Sequence, residues 1–213
     1  MDRFFTFEGI EGCGKTTQMR MAGDYLKSRG LMVTVTEEPG GSGFGRKIRD
    51  ILLNKSSEDI CAEAELLLFL SARAQHVKDV IKPALLREEI VLCDRFSDAT
   101  LAYQGFGRGL NIETIHAMNA FATTALKPDK TFLFDLSPEM GLKRALSRIS
   151  QRDHFLKEDR FEQEQIQFHE RVREGYLSLA KMDPDRFIII DASDGINAIQ
   201  EQLRSLLLSF VNG

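Results

Sequence analysis

The chain alternates between short apolar runs and longer segments with helical periodicity. Each apolar or β-branched run predicts a strand, at residues 4–7, 31–37, 90–93, 131–136 and 186–191. The intervening segments predict helices at residues 15–28, 46–53, 111–125 and 160–180, another from about residue 58, and one that closes the chain. Gly30 is expected to end the first helix and Pro83 to break or kink the third. Ser137 and Pro138 form a typical helix start.

This alternation predicts an α/β fold, in which helices cover both faces of a parallel sheet. The chain has 213 residues, of which 43% are hydrophobic, and this suits a single domain over residues 1–213. Parallel sheets bind ligands at the carboxyl ends of their strands. Three chemically distinctive stretches follow predicted strands, namely GIEGCGKT (9–16), EPGG (38–41) and DRF (94–96). Residues 38–45 are expected to be irregular because they contain Pro39 and four glycines.

The first of these stretches matches the phosphate-binding pattern G-x-x-x-x-G-K-[ST] through Gly9, Gly14, Lys15 and Thr16. In such a loop the backbone N–H groups cradle phosphates, the lysine reaches the transferring end and the hydroxyl holds magnesium. A glycine-rich turn without a ligand would leave the Lys-Thr pair unexplained. The loop also contains an acid, Glu11, and no arginine, which is unexpected beside a polyphosphate.

Several classes of nucleotide-binding protein share this loop, and a loop alone does not name an activity. A GTPase would carry an N-K-x-D motif, but Asn54-Lys55 is followed by two serines. The third predicted strand ends in Asp94-Arg95, which pairs an acid for magnesium with a base for a second anion. This favours a kinase whose acceptor is itself a phosphate, although a surface ion pair is the simpler alternative. A deoxynucleoside kinase and a non-catalytic nucleotide-binding switch also remain open.

A second candidate constellation lies in the predicted helix around residue 70. Phe69 and Arg73 are four residues apart and therefore share a helix face. An aromatic ring and a guanidinium in this arrangement can stack on a planar base and hydrogen-bond its edge. Taken alone, a phenylalanine in a leucine run is more often part of the core.

Five stretches in order carry a resemblance to a known family: IEGCGKTT (10–17), EEPGG (37–41), LFLSARAQH (68–76), CDRFSDATLAYQGFGRGL (93–110) and DRFE (159–162). Over essentially its whole length the chain resembles bacterial thymidylate kinases. The resemblance implies a fold like that of P-loop nucleoside monophosphate kinases, with a five-stranded parallel sheet and a small helical lid. It also implies transfer of the γ-phosphoryl group of ATP to dTMP with Mg²⁺, and a homodimer.

The resemblance further implies which residues bind the two nucleotides. The ATP site comprises Gly9, Ile10, Glu11, Gly12, Cys13, Gly14, Lys15, Thr16 and Thr17. The dTMP site comprises Glu11, Glu38, Pro39, Phe69, Arg73, Arg95, Thr100, Tyr103 and Gln104. Magnesium is assigned to Thr16 and Asp94.

Individual roles in the dTMP site follow from the same resemblance. Phe69 is expected to stack on thymine, while Arg73 and Gln104 address its polar edge and Thr100 lies near the base. Arg95 is expected to hold the acceptor phosphate, and Tyr103 to crowd a 2′-hydroxyl. Glu11 is expected to face the 3′-hydroxyl of the acceptor, so that this acid points away from the triphosphate.

The charge that the loop lacks is predicted to come from a basic segment at residues 143–160. Arg144, Arg148 and Arg152 repeat every four residues, and Arg160 follows. A basic helix face is usually only solvated, but the resemblance implies a mobile lid here and the class whose lid supplies the missing arginine. The predicted catalytic set is therefore Lys15, Arg95, Arg148, Arg152 and Arg160. The stretch DHFLKE departs from the family pattern and leaves open which lid arginine acts.

Composition adds mainly exclusions. A net charge of -4 gives no footprint for nucleic acid, and no apolar run approaches the ~20 residues of a membrane span. The N-terminus lacks the features of a secretory signal. Three widely spaced cysteines fit a reducing cytoplasm rather than a disulfide framework. One of them, Cys13, is either a small buried filler or a reactive loop thiol.

Overall fold

The computed structural model describes residues 2–53, 60–150, 160–162 and 164–212, with side chains for all of these except 148–150 and 212. The strands are β1 (Phe4–Glu8), β2 (Val33–Glu37), β3 (Ile90–Asp94), β4 (Lys130–Asp135) and β5 (Phe187–Asp191). Over the described residues they form one parallel five-stranded sheet in the order β2-β3-β1-β4-β5. The predicted fold class and all five predicted strands are therefore confirmed, with boundary shifts of one or two residues.

The helices are α1 (Lys15–Ser28), α2 (Gly43–Leu53), α3 (Ala62–His76), α4 (Lys82–Leu86), α5 (Ser97–Thr100), α6 (Ile112–Thr123), α7 (Pro138–Ser150), α8 (Ile166–Met182) and α9 (Ile196–Asn212). Two π-helical segments, π1 (Val77–Ile81) and π2 (Leu101–Gly107), follow α3 and α5. Among the described residues, no helix has both the length and the apolar character needed to cross a membrane.

The central strands are buried along their whole length. Every residue of β1 and of β3 is buried, because helices cover both faces of the sheet at this point. Phe7 in β1 lies in register with Asp94 in β3 and with Phe132 in β4. This register places the loop after β1, which contains the phosphate-binding pattern, beside Asp94 at the carboxyl end of β3. The candidate active site lies at this edge of the sheet.

Two predicted helix starts are wrong, and the helix is not broken at Pro83. Helix α2 begins at Gly43 rather than residue 46, because the Ser42 hydroxyl caps it by accepting from the Gly45 N–H at 2.9 Å. Of the break or kink predicted at Pro83, the break does not occur: the chain stays helical, and Pro83 lies in the first turn of α4 just after the wider turn of π1. Helix α8 begins only at Ile166, and residues 160–162 form a turn.

Candidate active site

The phosphate loop connects β1 to α1 and has the conformation that its glycines permit. Gly9, Gly12 and Gly14 have φ angles of 139°, 71° and 88°, a region that residues with a Cβ rarely adopt. A Cβ on Gly12 would lie 2.0 Å from the carbonyl oxygen of Gly141 in α7, so the loop packs too closely on that helix for any side chain there. The loop is therefore shaped to present backbone N–H groups at the start of α1.

Lys15 and Thr16 lie at the first turn of α1, where the predicted donor site requires them. The Lys15 side chain is buried, and its Nζ donates to the Ile10 carbonyl at 3.3 Å, across the loop that would hold the phosphates. The Thr16 hydroxyl donates to Oδ2 of Asp94 at the end of β3. The structure thus brings together the hydroxyl and the carboxylate that were predicted to hold magnesium.

These oxygen atoms do not make a metal site by themselves. Among the described residues, no group of three or more His, Cys, Asp or Glu side chains could hold a metal ion. Magnesium is often bound through one or two protein groups together with substrate phosphates. A hydroxyl and a carboxylate at the mouth of a phosphate loop fit that mode of binding.

Two further positions of the predicted ATP site, Cys13 and Thr17, differ in their exposure to solvent. The Cys13 thiol is buried at 2% exposure, and a Cβ on Gly9 would lie 3.0 Å from its sulfur. This favours the filler interpretation of Cys13 over a reactive thiol. Thr17, by contrast, is exposed on α1.

The acidic loop residue Glu11 points to the acceptor side of the cleft. Its Oε1 accepts hydrogen bonds from the Tyr103 hydroxyl at 2.6 Å and from Nη2 of Arg95 at 2.8 Å. Burial alone would raise the pKa of Glu11, but the Arg95 guanidinium, the neighbouring His169 and Lys15 together lower it well below its usual range. Glu11 is therefore a carboxylate that joins the phosphate loop to two predicted acceptor residues.

Arg95 is also held in place by residues outside the predicted site, Glu8 and Tyr176. Its backbone lies in the left-handed region with φ of 66°, and the next N–H, from Phe96, donates to Oε1 of Glu8 at 2.7 Å. The Tyr176 hydroxyl accepts from Nη1 of Arg95 at 3.2 Å and donates to Oε2 of Glu8 at 2.7 Å. Burial, with the Asp98 carboxylate adding to its effect, raises the pKa of Glu8 to about 8.

Of these residues only Glu8 carries a sequence signal, because it is an acid at the end of a largely apolar strand. A fully buried carboxyl group needs hydrogen-bond partners. Its partners are the Phe96 N–H, in the loop after β3, and the Tyr176 hydroxyl, on α8. No local sequence pattern connects these positions with Glu8. Tyr176 gives no such signal, because a tyrosine on an amphipathic helix is ordinary.

The wall formed by α3 and α5 contains the predicted base-recognition residues. Arg73 is 1% exposed and donates to Glu38 Oε2 at 2.7 Å, to Asn119 Oδ1 at 2.7 Å and to the Phe96 carbonyl at 2.9 Å. It also donates to the Thr100 hydroxyl. Arg73 has five N–H donors, so these contacts leave one for a ligand. Arg73 is therefore the centre of a buried hydrogen-bond network as well as a candidate contact for the base.

Glu38 and Pro39 lie in the loop after β2, beside the hydrogen-bond network of Arg73. Glu38 also contacts Nδ1 of His76 at 2.9 Å. Burial alone would raise the pKa of Glu38, but the Arg73 guanidinium and His76 lower it. The Pro39 carbonyl accepts from Nη1 of Arg49 at 2.7 Å, which ties the loop to α2.

A second buried acid, Glu65 in α3, organises the outer part of the same pocket. Its side chain is 0% exposed and accepts from the Gln104 amide at 2.8 Å. It also pairs with Arg108 at 3.3 Å and with Arg160 at 2.7 Å. Gln104, predicted to address the base, is thus anchored through its nitrogen.

Arg160 is placed away from the role predicted for it. Besides Glu65, it contacts the Leu52 carbonyl at 3.2 Å, at the end of α2. The following Phe161 is buried, with its ring centroid 6.3 Å from that of Phe69 and 5.5 Å from that of Tyr103. The end of the presumed lid therefore closes on the base pocket, and a role of Arg160 at the phosphates stays a prediction that requires it to leave Glu65.

The other lid arginines are only partly described. The Arg144 guanidinium donates to the Ala192 carbonyl at 2.9 Å and so helps to anchor α7. The side chain of Arg148 and the whole of Arg152 lie outside the described residues, as does the DHFLKE stretch. Their assignment as catalytic residues stays a prediction.

Comparisons with known proteins agree with one another. A family model described as thymidylate kinase matches residues 7–203. The curated thymidylate kinase of Syntrophus aciditrophicus is 53% identical over 203 residues, covering 95% of this chain and 93% of the relative. That of Geotalea daltonii is 48% identical over 213 residues and covers 100% of both. The crystal structure of thymidylate kinase from Ehrlichia chaffeensis matches with a TM-score of 0.77 at 32% identity, covering 97% of this chain and 98% of that one.

Proposed function

This chain belongs to the thymidylate kinase family, and from that premise we propose how the cleft described above carries out the family's reaction. The reaction is phosphorylation of dTMP by ATP, giving dTDP and ADP. The observation that carries the assignment of residues is the contact of Glu11 with Arg95 and Tyr103, because it joins the loop for the donor to the side chains for the acceptor.

On the donor side, the loop of residues 9–17 cradles the ATP phosphates through backbone N–H groups at the start of α1. Lys15 turns from the Ile10 carbonyl to the transferring phosphoryl group. Thr16 and Asp94 would hold a magnesium ion, which would neutralise charge on the phosphates.

On the acceptor side, Arg95 holds the phosphate of dTMP and Glu11 receives its 3′-hydroxyl. The acceptor is a monoester that is largely dianionic at neutral pH, since its second pKa is about 6. It needs no general base, and catalysis rests on positioning and on stabilising charge. The proposed reaction therefore assigns no carboxyl of the site the removal of a proton from the acceptor.

The base pocket lies between α3, π2 and the turn at residues 160–162. Phe69 stacks on thymine, the remaining donor of Arg73 and the side chain of Gln104 address its edge, and Thr100 and Pro39 complete the pocket. Tyr103, whose hydroxyl donates to Glu11 at 2.6 Å, would lie beside the sugar and crowd a 2′-hydroxyl, which favours a deoxyribose.

The cation that the loop lacks comes from the lid, at Arg148 or Arg152, as in the class of thymidylate kinases with lid arginines. This proposal is supported by the absence of arginine from residues 9–17 and by Arg144 and Arg160 both being engaged elsewhere among the described residues. Closing of the lid also excludes water from the transfer step.

We further propose a homodimer formed through α3 and α6, which pack against each other. Phe121 on α6 is 86% exposed and Leu67 on α3 is 55% exposed, and a second copy of the chain packed on these two helices would cover both side chains. Sedimentation velocity of the wild type and of Phe121→Glu tests this, since only the wild type should sediment as a dimer. Three free cysteines are consistent with the cytoplasm as its location.

A coupled ADP-release assay over a panel of acceptors tests the reaction itself. We expect dTMP to be turned over faster than AMP, CMP or thymidine at matched concentrations. Preference for thymidine would support a deoxynucleoside kinase. Slow hydrolysis that ignores every acceptor would support a nucleotide-binding switch.

A further inference from the structure

The buried polar atoms without a hydrogen-bond partner are concentrated at one place in this protein. Among the side chains that the structure describes, these atoms are Oε2 of Glu11 and both ring nitrogens of His169. Such atoms are uncommon in folded proteins, and each calls for an explanation. Here all of them belong to one pair of neighbouring side chains beside the proposed acceptor site.

The two side chains face each other across the interface between the phosphate loop and α8. Nδ1 of His169 lies 3.3 Å from Oε2 of Glu11, close enough for an ion pair but without good hydrogen-bond geometry. His169 is 0% exposed, and its ring packs edge-on against Phe168 at 5.5 Å. The other oxygen of Glu11 is already shared by Arg95 and Tyr103.

The other described histidine that is buried has different surroundings. His76 is also buried, at 1% exposure, but both of its ring nitrogens have partners. Its Nδ1 contacts Glu38 at 2.9 Å and its Nε2 contacts the Thr36 hydroxyl at 2.7 Å. The contrast indicates that the position of His169 is not explained by packing alone.

His169 differs from the cations beside Glu11, Arg95 and Lys15, in having no proposed contact with a substrate phosphate. Arg95 and Lys15 both help to keep Glu11 ionised, but under the proposed function each of them also binds a substrate phosphate. A dianionic acceptor therefore weakens their support for Glu11 at the moment when the carboxylate is needed. His169 is wholly buried, so no substrate phosphate reaches it in this arrangement.

We propose that His169 is a positioning residue: its Nδ1, 3.3 Å from Oε2 of Glu11, directs this oxygen toward the 3′-hydroxyl of the acceptor. It thereby sets the preference for acceptors that carry this hydroxyl. The inference rests on the proposed function, in which Glu11 receives the 3′-hydroxyl. When the acceptor binds, Oε2 of Glu11 would accept one hydrogen bond from the 3′-hydroxyl and a second from the N–H at Nδ1 of His169.

The test compares dTMP with 3′-deoxythymidine 5′-monophosphate, which differs only in lacking the hydroxyl. For each enzyme the measured quantity is the ratio of kcat/KM for the two acceptors. His169→Asn keeps an N–H close to the position of Nδ1, and His169→Leu has the same shape as asparagine without the donor. Val172→Ala, one turn along α8 and also 0% exposed, is the packing control.

We expect His169→Leu to lower the preference for dTMP by roughly 10-fold or more, as for loss of a hydrogen bond to a charged group. His169→Asn should retain most of the preference. Val172→Ala should lower the melting temperature and leave the preference unchanged. The KM for ATP should be the same in all four enzymes, because the effect acts on the acceptor alone.

The outcomes separate this inference from the proposed function. A wild type that ignores dTMP overturns the function, and a wild type that does not distinguish the two acceptors overturns the role of Glu11. If the wild type distinguishes them and His169→Leu does so equally well, the role of His169 is refuted. Should His169→Leu fail to fold, His169→Gln replaces it, because glutamine places its amide near Nε2; equal preference in the Asn and Gln variants then counts against the proposal.

Discussion

Replacing Arg73 by alanine is expected to destabilise the whole domain as well as the base pocket. The substitution removes a guanidinium that is 1% exposed and leaves Glu38, itself 6% exposed, without its main ion-pair partner. It also leaves the side-chain oxygen of Asn119 and the carbonyl of Phe96 without this donor. Among the described residues, Glu38 then keeps only its contact with His76, and the Phe96 carbonyl keeps only the Ala99 N–H. The oxygen of Asn119 must draw in water or stay unpaired.

The magnitude follows from the burial of the pair. Removing one partner of a buried ion pair costs about 3–5 kcal/mol, because the other charge is left uncompensated. For a domain of this size each kcal/mol lowers the melting temperature by about 2–4 °C, so the expected fall is about 6–20 °C. Part of the cost will be relieved by protonation of Glu38, since its pKa rises once the guanidinium beside it is gone.

Thermal unfolding followed by circular dichroism measures this effect. The matched control is Arg87→Ala, which breaks an ion pair with Glu89 of the same 2.7 Å length but with Arg87 at 59% exposure. Exposed pairs contribute about 0–1 kcal/mol, so this variant should melt close to the wild type. The double variant Arg73→Ala with Glu38→Gln should regain part of the stability, because no charge is then left buried and unpaired.

Kinetics then separate the two roles of Arg73. At a temperature where the variant is folded, its KM for dTMP should rise by an amount equivalent to about 1.5–3 kcal/mol, with little change in the KM for ATP. If the melting temperatures of Arg73→Ala and Arg87→Ala fall equally little, the burial argument is wrong. If the KM values for both nucleotides rise together, Arg73 supports the pocket without contacting the base.

Three further predictions concern other parts of the site. Because the folded-state pKa of Glu8 is raised to about 8, the native protein retains a proton that the unfolded chain loses above about pH 4.5, and stability falls as pH rises through this window. Glu8→Gln should therefore gain stability relative to the wild type between pH 5.5 and 8.5 in thermal melts, and a pH-independent difference would contradict the assignment. Replacing both Arg148 and Arg152 by alanine should lower kcat by about 10²-fold or more while binding of ATP alone is little changed; near-normal turnover would mean that the lid does not supply the charge. Asp94→Asn should raise the Mg²⁺ concentration needed for half-maximal activity, and an unchanged requirement would exclude Asp94 from the metal site.

The sequence by itself determined the strands, the sheet type and the phosphate loop, because each depends on local properties. A run such as FFTF is buried on both faces and needs no knowledge of its partners to be recognised. The conformation of the loop follows from glycines at positions where other residues are strained, and Lys15 and Thr16 come with it. The candidate dTMP residues were assigned from the longer motifs of the family. Those motifs identify residues that lie together in the pocket although they are far apart in the chain.

Local patterns were less reliable where a tertiary contact outweighs propensity. The glycines of residues 43–45 disfavour a helix, yet the Ser42 cap and packing of α2 on α3 make one. The residues at 160–162 carry a helical pattern, but they form a turn that places Arg160 on Glu65 and Phe161 against Tyr103. Propensity is a weak preference that such contacts override.

Only the tertiary structure decided which buried charges meet. The Tyr176 hydroxyl reaches Glu8 across 168 positions of the chain, and Tyr103 reaches Glu11 across 92. His169 joins the same acid from α8, a helix with no motif of its own. An electrostatic contact depends on distance in space and on exclusion of water, and neither quantity is written in the spacing of residues along the chain.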